Sequence, residues 1–181
     1  MYQGFTVWFT GMSGAGKTTL GEKLVKELRF RGFKADGLDG DVVRQGLCRD
    51  LGFSVEDREK NIRCMAFAAQ ILNRNGICAI ASFITPYNSM RRFCREQISR
   101  YVEIYVRCPL ETLIRRDVKG LYKKALSGEL PAFTGISDPF EEPETPDLVV
   151  DTSCETPEKS LAKVIYMLEM KGFLEKEVAK D

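Results

Sequence analysis

Apolar and polar positions along this chain change period repeatedly, and the changes mark out its elements. Phe5-Thr6-Val7-Trp8-Phe9-Thr10 is a short β-prone apolar stretch. Beyond a glycine-rich interval, Leu20, Leu24, Val25 and Leu28 recur at helical spacing, and Gly32 supplies a stop. Ala35 to Leu38 predicts a second strand and Asp41 to Leu47 a short helix. Ser54 then predicts an N-cap, with Asp57 three residues later as in a capping box. Ile62, Met65, Ala66, Ala69 and Leu72 form the buried stripe of the helix that follows, and Gly76 ends it. Ile77 to Ser82 is a continuous apolar run, typical of a parallel strand covered on both faces. A basic helix around Met90 to Ser99, a strand from Tyr101 to Val106 and a helix opened by Pro109 through Leu110, Leu113 and Ile114 come next. Lys119 to Pro146 is rich in Gly, Pro and charge and long for a connection, which suggests a functional lid. Leu148-Val149-Val150 predicts a fifth strand. Thr156-Pro157 opens a last helix with Leu161, Val164, Ile165 and Leu168 inward and Gly172 near its end. Residues 175–181 read as a charged, frayed tail.

Strands alternating with helices predict an α/β fold: a three-layer sandwich with a five-stranded parallel sheet and helices on both faces. At 181 residues the expectation is one domain, 1–181, with a lid at about 119–142. In such sheets ligands sit beyond the carboxyl ends of the strands. A net charge of +1 gives no electrostatic case for nucleic acid or membrane binding, and no apolar run is long enough to cross a bilayer. Six cysteines without a C-x-x-C pair favour free thiols in a reducing cytoplasm over disulfides or a zinc site. Histidine is absent, so proton transfer must use carboxylate, lysine, tyrosine or water.

The first strand leads into Gly11-Met12-Ser13-Gly14-Ala15-Gly16-Lys17-Thr18, which fits G-x-x-x-x-G-K-[ST]. A chance glycine turn is the bland reading, but strand, loop and helix follow in the order a phosphate-binding loop requires. Its glycines let successive N–H groups face a polyphosphate at a helix N-terminus. Lys17 then reaches the β- and γ-phosphates and Thr18 serves Mg²⁺.

Asp39 and Asp41, after the second strand, read either as a turn and N-cap or as carboxylates that hold Mg²⁺ or take a proton; facing a phosphate loop, chemistry is favoured. Arg58 and Asn61 share a face of one helix start with Arg44 upstream, which suits a sulfate or phosphate ester. On charge pattern alone a solvated Glu-Asp-Arg-Glu-Lys face is favoured there. Arg115, Arg116, Lys119, Lys123 and Lys124 are either lid cations or an exposed basic helix end. Phe53 and Phe133 either clamp a base or merely pack. No Asn-Lys-x-Asp sequence exists, and the third strand ends without an aspartate, which points away from a switch GTPase and towards a small-molecule kinase with its acid on strand two.

Taken together, the motifs closely resemble the adenylylsulfate kinase (APS kinase) family of P-loop kinases. The matching segments are 11–19, 38–44, 51–54, 56–63 and 82–87, with Arg-Asp-Val-Lys-Gly-Leu-Tyr-Lys-Lys-Ala at 116–125 and Phe-Thr-Gly-Ile-Ser-Asp-Pro at 133–139 the most specific. The resemblance implies a P-loop NTPase sandwich and transfer of the ATP γ-phosphoryl group to the 3′-hydroxyl of adenosine 5′-phosphosulfate (APS), giving PAPS and ADP. It implies Gly11, Ser13, Gly14, Ala15, Gly16, Lys17, Thr18 and Thr19 around the ATP phosphates, with Arg116 against the adenine near Cys154 to Thr156. Asp41 becomes the catalytic carboxylate beside Lys17 and Lys119, with Thr18 and Asp39 serving Mg²⁺. Asp39, Asp41, Arg44, Arg58, Asn61, Ile84, Thr85 and Lys119 face APS, whose adenine lies between Phe53 and Phe133. A homodimer, a fused or associated ATP sulfurylase and a cytoplasmic setting are implied as well. Many members have Asn where this chain has Val42, and Ser, phosphorylated in some, where it has Thr85. The chain begins four residues before its first strand, as expected of a kinase domain fused behind an ATP sulfurylase. Competing readings are a P-loop kinase for another nucleoside or metabolite, which would not need the 116–139 pattern, and a nucleotide-binding regulatory domain without turnover.

Overall fold

The computed structural model describes residues 3–175. The side chain of Arg44 and residues 176–181, on which the expected tail falls, lie outside the described residues. Five parallel strands, β1 (Thr6–Thr10), β2 (Ala35–Asp39), β3 (Cys78–Ser82), β4 (Tyr101–Arg107) and β5 (Leu148–Asp151), lie in the order β2-β3-β1-β4-β5. The strand order changes direction beside β1, and the crevice beyond its carboxyl end is where such a sheet receives a ligand.

All five residues of β1 are buried because both sheet faces are covered. Val7 and Phe9 point into one core with Leu20, Leu24 and Leu28 of α1 (Lys17–Phe30) and Val164 and Leu168 of α7 (Pro157–Met170). Trp8 points into the other, with Ile62, Met65, Ala66 and Ala69 of α3 (Val55–Arg74) and Met90 and Cys94 of α4 (Asn88–Gln97). The expected three layers are therefore present. A short α2 (Gly40–Gln45) follows β2, and α5 (Leu110–Arg116) follows β4.

Several local signals act as the sequence suggests. Ser54 Oγ accepts the Asp57 N–H at 3.1 Å, and Thr156 Oγ1 accepts the Lys159 N–H ahead of Pro157. The capping box itself does not close: the Asp57 carboxylate accepts from Gly52 N–H at 3.1 Å, tying the preceding loop down instead. Helix α2 stops at Gln45 rather than Leu47, and α4 runs Asn88–Gln97 rather than Met90 to Ser99. The larger correction lies in the long connection. It contains a further helix, α6 (Leu121–Leu126), with Tyr122 and Ala125 buried.

Candidate active site

The loop between β1 and α1 has the backbone its glycines permit. A Cβ on Gly11 would lie 2.4 Å from the Val106 carbonyl oxygen, so the loop can pass over β4 only without a side chain. Gly16, at φ 101, is the left-handed N-cap of α1, and no side chain occupies the first helical N–H groups. An anion can therefore take them. Within this ring Lys17 is buried, and its ammonium donates to the carbonyls of Gly11 and Met12, both at 2.8 Å. Burial, helped by the nearby Lys119 charge, pulls its pKa down to about 8 against the opposing pull of Asp41 and Asp39.

The loop floors a cavity of about 500 Å³ that brings together most of the residues singled out in the sequence. Its lining includes Ser13, Gly14, Gly16, Lys17, Thr18 and Thr19 of the loop and α1, Phe53, Arg58, Asn61, Ile84, Thr85 and Phe133, and Asp39, Asp41 and Lys119. Gly11 and Ala15 shape the loop from behind: Gly11 receives Lys17, and the Ala15 carbonyl receives the Thr152 hydroxyl at 2.9 Å.

The two aspartates divide the readings offered for them. Asp39 is the N-cap of α2, accepting the Asp41 N–H at 2.9 Å, and its other oxygen accepts the Thr18 hydroxyl at 2.7 Å. Asp41 projects from the first turn of α2 and meets Lys119 Nζ. Thr18 and Asp39 offer two hard oxygens side by side, and among the described residues no group of three or more His, Cys, Asp or Glu is placed to hold a metal. That donor set suits Mg²⁺, which keeps its waters and takes the rest of its shell from phosphate oxygens.

Arg58 corrects the charge-pattern reading of a solvated face. It is buried, and four of its five N–H groups donate within the protein: to Phe53 O at 2.8 Å, Thr134 Oγ1 at 2.9 Å, Ala132 O at 2.9 Å and Asp138 Oδ2 at 3.0 Å. Asn61 is buried too, with its side-chain oxygen unpartnered at the cavity wall. An acceptor left bare in that position is suited to a ligand donor. Phe53 is exposed at the mouth and Phe133 half-buried. Of Arg115, Arg116, Lys119, Lys123 and Lys124, only Lys119 lines this cavity.

Arg116 turns the other way. It donates to the Thr152 carbonyl at 2.9 Å, close in the chain to exposed Cys154 and the Thr156 cap, and Thr152 in turn donates to the Ala15 carbonyl of the phosphate loop. Arg116 and residues 152–156 are therefore not among the residues that line the cavity of Phe53 and Phe133.

Four supports escaped sequence reasoning. Trp8 Nε1 donates to Thr85 Oγ1 at 2.8 Å, burying the hydroxyl, and Thr85 sits at φ 46. Arg91, buried under the same loop, donates to the Thr85 carbonyl and, at 2.6 Å, to the Glu141 carbonyl. Thr152 holds the phosphate loop, and the Tyr122 hydroxyl donates to the Ser13 carbonyl at 2.8 Å. Apart from the Arg91–Thr85 bond, which spans six residues, each joins residues far apart in the chain, so no local pattern announces it.

A family model described as adenylylsulphate kinase matches residues 3–151. The adenylyl-sulfate kinase of Halothermothrix orenii is 52% identical over 95% of this chain and 93% of its own. A probable bifunctional SAT/APS kinase of Sorangium cellulosum is also 52% identical, over 94% of this chain but 29% of its own. Among solved structures, an APS kinase of Mycobacterium tuberculosis in complex with AMPPNP and APS superposes with a TM-score of 0.90 at 37% identity, over 93% of this chain and 99% of that one.

Proposed function

The chain belongs to the adenylylsulfate kinase family, and from that premise we propose how its cavity performs the family's reaction. The enzyme transfers the γ-phosphoryl group of ATP to the 3′-hydroxyl of APS, giving PAPS and ADP, with Mg²⁺. The observation that carries the assignment of roles is the Asp41–Lys119 pair, which lines the same cavity as the phosphate loop, Phe53 and Phe133.

Residues 11–19 hold the ATP phosphates, and Arg116 with Cys154 and Thr156 flanks the adenine. Lys17 leaves the loop carbonyls for the β- and γ-phosphates. APS enters the same cavity, its adenine between Phe53 and Phe133, with Arg58, Asn61, Ile84 and Thr85 around the remainder. Asp41 receives the 3′-hydroxyl proton as that oxygen bonds to the γ-phosphorus and the bridging bond to ADP breaks. Lys119 stabilises charge on the transferring group, and Lys17 stays on the departing phosphates. Bound Mg²⁺ supplies charge neutralisation on the phosphates, and Thr18 and Asp39 are the residues that would hold it. Residues 119–142 serve as the lid of the single domain 1–181 and exclude water, the competing acceptor.

A homodimer is supported by Phe67 and Ile71, exposed one turn apart on α3. Fusion to, or association with, an ATP sulfurylase is supported by the bifunctional Sorangium relative. Six free cysteines support a cytoplasmic setting. Coupled ADP release with APS, 5′-AMP and unrelated alcohols tests the reading: APS should be strongly preferred, and equal rates with 5′-AMP would return the site to a general nucleotide kinase.

A further inference from the structure

Met12 and Ser13 touch the lid at two points. The Tyr122 hydroxyl, on α6, donates to the Ser13 carbonyl at 2.8 Å. The Met12 side chain packs so closely on Gly135 that a Cβ there would lie 2.8 Å from its sulfur. Tyr122 is itself buried, and its ring meets Phe133 edge to face, with centroids 5.0 Å apart and planes at 81°.

Phe133 does not move freely of its neighbours. Its carbonyl accepts from the N–H groups of Ile136, Ser137 and Asp138, and its own N–H donates to Ser137 Oγ at 2.9 Å. Arg58 adds bonds to Ala132, Thr134 and Asp138. Residues 132–138 are therefore one compact turn, and a displacement at Tyr122 is passed to that turn as a unit. The other end of the chain of contacts must respond to nucleotide. The Met12 carbonyl accepts from the Lys17 ammonium, a bond given up when the ammonium turns to a polyphosphate, and Ser13 is the next residue.

We propose that Tyr122 is a positioning residue that couples occupancy of the phosphate loop to the placement of Phe133 in the cavity, through its hydrogen bond to Ser13 and its ring contact with Phe133. Nucleotide and acceptor then bind with positive coupling, each raising the affinity of the other by the same factor. The acceptor arm rests on the assignment of Phe133 to the APS adenine; the lid arm does not.

Tyr122→Phe keeps the ring and removes only the hydroxyl. The lid arm follows amide hydrogen exchange over 119–135 with and without MgAMPPNP. In the parent, nucleotide should slow exchange in this segment. In Tyr122→Phe the response should be largely lost, while the MgAMPPNP Kd and the melting temperature stay near the parent's. The acceptor arm measures the APS Kd by calorimetry with and without MgAMPPNP. The ratio of the two should fall by about 2–10-fold in the variant, the range expected for one neutral hydrogen bond. An unchanged exchange response in Tyr122→Phe, or none in the parent, overturns the coupling. Loss of MgAMPPNP affinity or of melting temperature with the response preserved makes Tyr122 a structural residue and also overturns it. A lost exchange response together with a parent that does not bind APS sustains the coupling and removes the assignment of the acceptor.

Discussion

Lys119 Nζ lies 2.5 Å from Asp41 Oδ2, joining the connection after α5 to the first turn of α2 across 78 residues of chain. Both side chains are substantially exposed, so the pair adds little to stability. Its interest is positional: a cation and the candidate proton acceptor meet in the cavity that the phosphate loop floors. Asp41→Asn keeps the size of the side chain and removes its negative charge. Steady-state kinetics should show kcat lowered by about 10²–10⁴-fold with KM nearly unchanged. An effect confined to KM would make Asp41 a binding residue.

Lys17 should make nucleotide binding pH-dependent. Burial holds its folded-state pKa at about 8, below the ordinary 10.5. The group's contribution to folding stability is therefore fully present above pH 10.5 and lost as pH falls through 8, on the order of 3 kcal/mol in all. ATP phosphates favour the charged form, so ATP binding between pH 8 and 9 should take up a proton, and ATP affinity should weaken as pH rises above 8. Calorimetry in buffers of different ionisation enthalpy should find this uptake in the parent and lose it in Lys17→Met. Identical proton uptake in both would mean that another group titrates.

Removing Arg58 should affect both lid and acceptor. Arg58→Ala leaves the carbonyls of Phe53 and Ala132, the Thr134 hydroxyl and the Asp138 carboxylate without this partner, so cleavage within 130–140 by an added protease should quicken. Unpaired buried groups cost about 1–3 kcal/mol each, and kcat/KM for APS should fall by roughly tenfold or more. The loss should be greater with APS than with AMP. Equal losses would leave Arg58 the lid-fastening role and take sulfate recognition from it.

Arg91 should matter to stability. Its guanidinium lies 3.9 Å from Glu103, both nearly inaccessible, and burial raises the Glu103 pKa against the pull of Arg95 and Arg91. Breaking such a pair by removing one partner typically costs about 3–5 kcal/mol. For a domain of this size Arg91→Met should lower the melting temperature on the order of 10 °C by calorimetry. A shift within experimental error would show that Arg95 alone satisfies Glu103.

The sheet and the phosphate loop were legible because their signals are local. Apolar runs at 5–10 and 77–82 announce strands covered on both faces, and Gly11 to Thr18 carries its own geometry. Helix α6 was not legible, because its six residues are too few for a period and its start depends on Gly120 at φ 65. Two of its N–H groups, those of Tyr122 and Lys123, go back to the Asp117 carboxylate. Arg58 misled for another reason. Its neighbours Glu56, Asp57, Glu59 and Lys60 make a charge run, whereas its Thr134 and Asp138 partners lie 76 and 80 residues away. Thr85 and Trp8 are likewise 77 residues apart. Burial of a polar side chain is decided by such pairings, which a linear pattern does not contain.

The central claim, transfer to the 3′-hydroxyl of APS in the cavity beside Asp41, is tested most directly with an acceptor that lacks that hydroxyl. ADP formation should be measured with APS and with its 3′-deoxy analogue at matched, saturating concentrations. The account predicts turnover with APS, none above the acceptor-free background with the analogue, and competitive inhibition of APS by the analogue. ADP formed equally fast with both would contradict it.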